Sequence, residues 1–108
     1  MVLEYMKDDK LSTRIYADYK TRTVKIENYT DDMVDRAFGV NENPTFKDYE
    51  EFLEERCFPR TRDKMKLILQ DMGLDYYDPL LIIRKTQGRM AEDSMWIRIK
   101  EEQAYDNV

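Results

Sequence analysis

The first thirty residues alternate between apolar and polar positions, and this two-residue period is typical of half-buried β-strands. Val2–Met6 is a short apolar run, and the alternation covers Thr13–Tyr19 and Val24–Tyr29. Two polar breaks, Lys7–Lys10 and Lys20–Arg22, are short enough to be turns between strands that follow one another in the sheet. The pattern therefore predicts a three-stranded antiparallel meander, and the rest of the chain has to cover one of its faces.

After the meander the apolar residues recur every three or four positions, which is the period of amphipathic helices. The segment Asp31–Phe38 indicates a short helix that is capped by Thr30. Thr45 with Asp48 three residues later is typical of a capping box, and the helix that follows is expected to end near Cys57. On this helix the apolar and acidic side chains separate onto opposite faces.

Two further helices are predicted from their start and stop signals. The first is capped by Thr61 and ends at Gly73. It has the clearest helical spacing in the chain, carried by Met65, Ile68, Leu69 and Met72. The second begins at Asp78-Pro79, where a carboxylate cap precedes a proline at the first helical position, and it ends at Gly88.

Alternation returns over Met95–Ile99, which predicts a short C-terminal strand with Trp96 as an anchor of the core. The fold class is therefore α+β: a three-stranded antiparallel meander followed by three or four helices packed on one face, with a short C-terminal strand. We expect one domain over residues 1–100 and a frayed acidic tail over residues 101–108. The predicted core is Ile15, Val24, Ile26, Phe52, Leu53, Met65, Ile68, Leu69, Met72, Leu81, Ile82, Trp96 and Ile97.

Composition narrows the classes of function. The 108 residues are 42% hydrophobic and 38% charged, and they include no histidine. This removes the usual general base and metal ligand, and the single Cys57 cannot form a disulfide within the chain. No apolar run approaches the length of a membrane span, and the charged start does not resemble a signal peptide. We expect a cytoplasmic, non-enzymatic protein without membrane attachment, metal or cofactor.

Charge is distributed unevenly around the net value of −5. Residues 1–55 contain eight cationic and fourteen acidic side chains, and tyrosines lie among them. Carboxylates and phenols on one rigid surface can imitate a phosphate backbone and bind a basic groove of a partner protein. The candidate partner-binding residues are Asp31, Asp32, Asp35, Glu50, Glu51, Glu54 and Glu55. The alternative is a solvated acidic surface that serves solubility.

A basic stretch follows the acidic half, and it offers a second hypothesis. Its cations are Arg56, Arg60, Arg62, Lys64 and Lys66, and two short helices come after them, an order similar to a helix-turn-helix. Cations of this kind contact phosphates. The segment Leu80–Gln87, however, is too apolar to provide the polar face that base readout requires. The alternative is that these cations lie beside the glutamates of the preceding helix.

The sequence resembles a known group of proteins, most clearly over residues 58–62 and 91–97, Phe-Pro-Arg-Thr-Arg and Ala-Glu-Asp-Ser-Met-Trp-Ile. It is similar there to the N-terminal module of HipA-like kinase-related proteins of Gram-positive bacteria and to small stand-alone proteins of mobile elements. The kinase machinery of that family lies beyond this region, so the resemblance assigns no catalytic residue.

What the resemblance implies is an accessory or regulatory module. Among small proteins of mobile elements, an anti-CRISPR-like inhibitor of a CRISPR effector nuclease is the leading hypothesis. The alternative is a small DNA-binding regulator of a mobile element, or a HipA-type toxin–antitoxin accessory module.

Overall fold

The strands form one antiparallel sheet, in the order β3-β2-β1-β4. A computed structural model describes residues 1–101 of the chain, so the predicted tail lies almost wholly outside the described residues. The strands are β1 (Val2–Lys7), β2 (Lys10–Asp18), β3 (Thr23–Asn28) and β4 (Met95–Glu101). The helices are α1 (Phe46–Glu55), α2 (Met65–Asp71) and α3 (Pro79–Thr86), with a short 3-10 helix at Met33–Asp35.

The α+β class is confirmed, but the sheet has four strands instead of a three-stranded meander with a separate C-terminal strand. β4 pairs antiparallel with β1 and brings Ile97 opposite Tyr5 and Ile99 opposite Leu3. These alternate residues of β4 extend the apolar face that the meander turns toward the helices. Alternation revealed the strand, but it carries no information on which neighbour the strand joins.

The side-chain caps of α1 and α3 are confirmed. The backbone N–H of Asp48 donates to Thr45 Oγ1 at 3.1 Å, and the N–H of Thr45 donates to Asp48 Oδ2 at 2.9 Å, which completes the capping box. The carboxylate of Asp78 accepts from the N–H of Leu80 at 3.0 Å, ahead of Pro79 at the start of the helix. These caps fix where the acidic face of α1 begins and where α3 returns toward the sheet.

The helix predicted over Asp31–Phe38 is wrong in extent and in its cap. Only one 3-10 turn forms, and Asp32 caps it instead of Thr30. The Thr30 hydroxyl accepts from the N–H of Asp32 at 3.2 Å. The N–H of Ala37 is then drawn to Thr13 Oγ1 on β2 at 3.1 Å, so the chain is held against the sheet and cannot continue as a helix.

The predicted Thr61 cap of α2 is also wrong, because the helix begins at Met65. Lys64 precedes it in the left-handed region, with φ +58°, and this conformation prevents the helix from extending toward Thr61. The end of the helix follows the prediction. Met72 is the C-cap of α2, and Gly73 follows it with φ +74°, a conformation that glycine adopts without strain.

The core lies between the sheet and the helices. Among the predicted core residues, those buried are Ile15, Phe52, Leu53, Leu69, Ile82 and Ile97. Val24, Ile26, Met65 and Met72 are only partly buried and pack against the edge of the core, and Ile68 and Leu81 are also only partly buried. The prediction that Trp96 anchors the core is wrong, because Trp96 is half-buried on the opposite side of the sheet from the core. The largest fully buried side chain is Tyr49, which the sequence analysis did not include.

Candidate interaction surfaces

The acidic side of α1 consists of two rows of glutamates, because residues four apart share one side of a helix. In one row, Glu50 pairs with Arg22 at 3.1 Å and Glu54 pairs with Arg60. In the other row, Glu51 and Glu55 are exposed and have no ion-pair partner among the described residues. Neighbouring glutamates, about 100° apart around the helix axis, therefore divide into carboxylates that the protein neutralises and carboxylates that it leaves exposed.

The three predicted aspartates before α1 also differ in what they do. Asp35 pairs with Lys7 at 2.9 Å and ties the 3-10 turn to β1. Asp32 accepts from the N–H of Val34 at 3.0 Å as the cap of that turn. Asp31 is exposed and has no such contact within residues 1–101.

The five cations of the basic stretch also differ in exposure, and Arg56 is the one that is buried. Arg56 is only 7% exposed and lies inside the fold. Its guanidinium donates to both carboxylate oxygens of Asp93, at 2.9 and 3.1 Å, and to the carbonyls of Gly88 and Met95, each at 2.9 Å. The hydrogen bonds from Arg56 hold the pKa of Asp93 below its ordinary value. Arg56 therefore joins the end of α1 to the segment before β4, and it cannot reach a phosphate outside.

The remaining cations of the stretch lie at the surface. Arg60 pairs with Glu54, and its guanidinium lies 4.4 Å from the centre of the Tyr77 ring. Arg62, Lys64 and Lys66 are exposed and have no ion pair within the described part of the chain. Three of the five predicted cations are thus available to a ligand.

A third surface was not predicted from the sequence. The helices cover one side of the sheet, and side chains of all four strands form the other, which we call the outer sheet face. It includes Glu4 and Met6 of β1, Arg14, Tyr16 and Asp18 of β2, Lys25 and Glu27 of β3, and Trp96 and Arg98 of β4. Tyr29 and Arg89 extend it through contacts with Arg14 and Trp96.

Glu4 occupies the centre of the outer sheet face and is only 3% exposed. Arg14 donates to Glu4 Oε2 through Nη2 at 2.9 Å and through Nε at 3.2 Å. Arg98 Nε donates to the other oxygen, Glu4 Oε1, at 2.8 Å, and Arg98 Nη2 lies 2.7 Å from that same oxygen. Burial alone would raise the pKa of Glu4, but the hydrogen bonds from Arg14 and Arg98 outweigh burial and lower it. The charge of Glu4 is therefore fixed and covered by two arginines from the flanking strands.

The network continues to the edge strand β3. Arg14 donates to the Tyr29 hydroxyl at 2.9 Å, and the hydroxyls of Tyr29 and Tyr16 each donate to Glu27 at 2.8 Å. These hydrogen bonds, first that from Tyr29, lower the pKa of Glu27. The carboxylates of Glu4 and Glu27 are thus engaged, and the two tyrosine rings are held in place by their hydroxyls.

Trp96 lies at the other end of this face. Its indole N–H donates to the carbonyl of Asp8 at 2.7 Å, the kind of backbone partner that a buried tryptophan also uses. The guanidinium carbons of Arg89 and Arg98 lie 4.8 and 5.8 Å from its ring centre. The tryptophan therefore belongs to a cationic, aromatic surface.

Cysteines and clusters of acidic side chains are the remaining groups that could take part in catalysis or metal binding. Burial raises the pKa of the Cys57 thiol to about 12, so the thiol is protonated and unreactive. No group of three or more acidic or thiol side chains within residues 1–101 could hold a metal ion.

No helix within the described residues is both long and apolar enough to cross a membrane. No known protein family, curated protein or solved structure matches the chain.

Proposed function

We propose that the chain is a non-enzymatic interaction protein that acts in the cytoplasm, where it inhibits or regulates a nucleic-acid-handling enzyme. The observation that carries the proposal is the row formed by Glu51 and Glu55, which is exposed and unpaired among the described residues. Carboxylates left open on a rigid helix complement a basic groove and steer the approach of a positively charged partner.

The surface beside this row supports contact with individual cationic side chains. A shallow cleft of about 260 Å³ lies between the loop that follows the 3-10 turn and α1, and Phe38, Phe52, Glu51 and Glu55 are among the residues that line it. A lysine or arginine carries a long apolar stem and a charged end. Its stem fits against the rings, and its charge then lies beside the two carboxylates.

The buried polar groups favour binding over catalysis. Every buried side-chain nitrogen and oxygen among the described residues has a hydrogen-bond partner. The most buried ionised groups, Glu4 and Arg56, are fully engaged in ion pairs. An active site usually keeps a perturbed acid, base or nucleophile directed into a cleft, and these groups serve the fold instead.

The resemblance to small proteins of mobile elements makes a CRISPR effector nuclease the first target to test. We expect the protein to inhibit target cleavage by a guide-loaded nuclease. The triple variant Asp31→Lys, Glu51→Lys, Glu55→Lys reverses the unpaired carboxylates and is expected to abolish inhibition, since it presents cations to a basic groove.

A matched control reverses three exposed carboxylates near α2, as Asp63→Lys, Asp71→Lys, Asp75→Lys, and is expected to keep inhibition. Inhibition that survives the first triple variant would contradict phosphate mimicry by this surface. If the protein inhibits no nuclease and co-purifies with no nucleic-acid enzyme, the proposed function itself fails.

A small DNA-binding regulator is the second candidate, and the exposed, unpaired Arg62, Lys64 and Lys66 favour it. Binding through these cations is expected to weaken with salt by about 0.9 log units per phosphate contact for each log unit of salt. A gel-shift titration with duplex DNA tests it, and the absence of any shift at low salt would exclude it.

A further inference from the structure

We propose that the outer sheet face binds single-stranded nucleic acid. This face lies on the side of the sheet opposite the helices, so the proposal does not depend on the function proposed for α1. Neighbouring strands are about 4.8 Å apart, so the four strands offer a platform about 14 Å wide between its outer strands. A platform of this kind is wide enough for unstacked bases to lie flat upon it.

The charge of the face selects an anionic ligand. It carries four cations, Arg14, Lys25, Arg89 and Arg98, in a chain whose net charge is −5. Its carboxylates are all engaged: Glu4 is buried between two arginines, Glu27 accepts two phenol hydrogen bonds, and Asp18, at the end of β2, accepts the backbone N–H groups of Lys20 and Thr21.

One arginine has donors to spare. Arg98 engages Glu4 through Nε and Nη2, and its Nη1 has no acceptor among the described residues. A guanidinium carries five N–H donors, so the two on Nη1 can bind a phosphate while the others hold Glu4. Glu4 therefore orients Arg98 and does not remove it from the surface.

The exposed apolar surface of the face is aromatic. Tyr16 is 36% exposed and Tyr29 is 51% exposed, and their hydroxyls are both fixed on Glu27. Aromatic rings on a sheet stack with bases of any sequence, and rings that are already fixed lose little entropy on binding. No large aliphatic side chain of the described face is exposed, whereas protein interfaces usually have an apolar core. These features favour single-stranded nucleic acid over an acidic protein.

The only tryptophan of the chain, Trp96, lies on this face and reports on it directly. We expect an oligothymidylate or oligouridylate of about twelve nucleotides, within the range that single-strand platforms occupy, to quench Trp96 fluorescence in a saturable way. With about three phosphate contacts, the Kd is expected to rise about 20-fold between about 50 and about 200 mM salt. A blunt duplex of the same length is expected to bind more weakly, because its bases are already stacked.

Two double variants that remove the same charge locate the contact. The variant Lys25→Gln, Arg98→Gln is expected to raise the Kd at least about tenfold, while Glu4 keeps its contact with Arg14. The control Lys64→Gln, Lys66→Gln is expected to change the Kd less than about twofold.

Several results would overturn the proposal. The first is an unchanged Trp96 signal at low salt in the unaltered protein, a measurement that needs no variant. Equal losses in the two double variants would assign binding to the basic stretch or to general charge. Equal quenching by a polyglutamate of matched charge would assign the face to acidic proteins.

Discussion

The two sides of the sheet use charge in opposite ways. On the helical side, Arg22 and Arg60 neutralise one row of glutamates and leave Glu51 and Glu55 open. On the outer sheet face, Glu4 is buried between two arginines, Glu27 is exposed but hydrogen-bonded by two tyrosines, and cations outnumber the carboxylates. Three of the four strands of this cationic face come from the acidic half of the sequence. Charge summed along a chain therefore does not give the charge of a surface, because pairing between elements decides which charges remain open.

The largest expected difference between the two sides is in packing, and two neighbours on β2 measure it. Ile15 faces the core and is fully buried, whereas Tyr16 lies on the outer sheet face and is 36% exposed. We expect Ile15→Ala to lower the free energy of unfolding by about 3–4 kcal/mol through lost burial and a cavity. Tyr16→Ala is expected to cost less than about 1 kcal/mol. Urea unfolding of both variants checks this, and similar losses would show that the outer sheet face is covered as well.

A smaller difference is expected between two arginines that each bind a carboxylate. Arg56 is 7% exposed and Arg98 is 44% exposed. We expect Arg56→Met to lower the free energy of unfolding by about 2–3 kcal/mol, because two buried carbonyls lose their donor. Arg98→Met leaves Glu4 paired with Arg14 and is expected to cost less than about 1 kcal/mol. Equal costs in denaturant unfolding would contradict the structural role assigned to Arg56.

Local signals predicted two helix caps correctly and two, at Thr30 and Thr61, wrongly, whereas contacts between distant residues were missed altogether. The capping box of Thr45 and the cap at Asp78 each span only a few residues, and both are present. The bond between Arg98 and Glu4 joins residues 94 positions apart, and no spacing in the chain indicates it.

The acidic side of α1 follows from helical periodicity, so the sequence predicts that its four glutamates lie on one side of the helix. Which of them are neutralised depends on Arg22 from the β2–β3 turn and Arg60 from the loop after α1. The outer sheet face was missed because β4 was not assigned a partner, so Trp96 and Arg98 could not be placed beside β1.

Acid is expected to affect the outer sheet face through Glu4. The pKa of Glu4 is lower in the folded protein than its unfolded value of about 4.3. Its contribution to stability is therefore complete above about pH 5 and is lost as the pH falls through the folded pKa. We expect the stability difference between the unaltered protein and Glu4→Gln to shrink between about pH 5 and pH 3. A difference that stays constant over this range in urea unfolding would show that the ionised form of Glu4 is not the stabilised one.

The two rows of α1 can be compared directly, because carboxylates left open are expected to bind the partner and paired carboxylates are not. Glu51→Gln, Glu55→Gln and Glu50→Gln, Glu54→Gln each remove two charges from the same helix. Inhibition of a guide-loaded nuclease, titrated with each double variant, is expected to weaken at least about tenfold for the first and less than about threefold for the second, as for charges open to or withheld from the partner. Equal weakening, or the reverse order, would contradict the account.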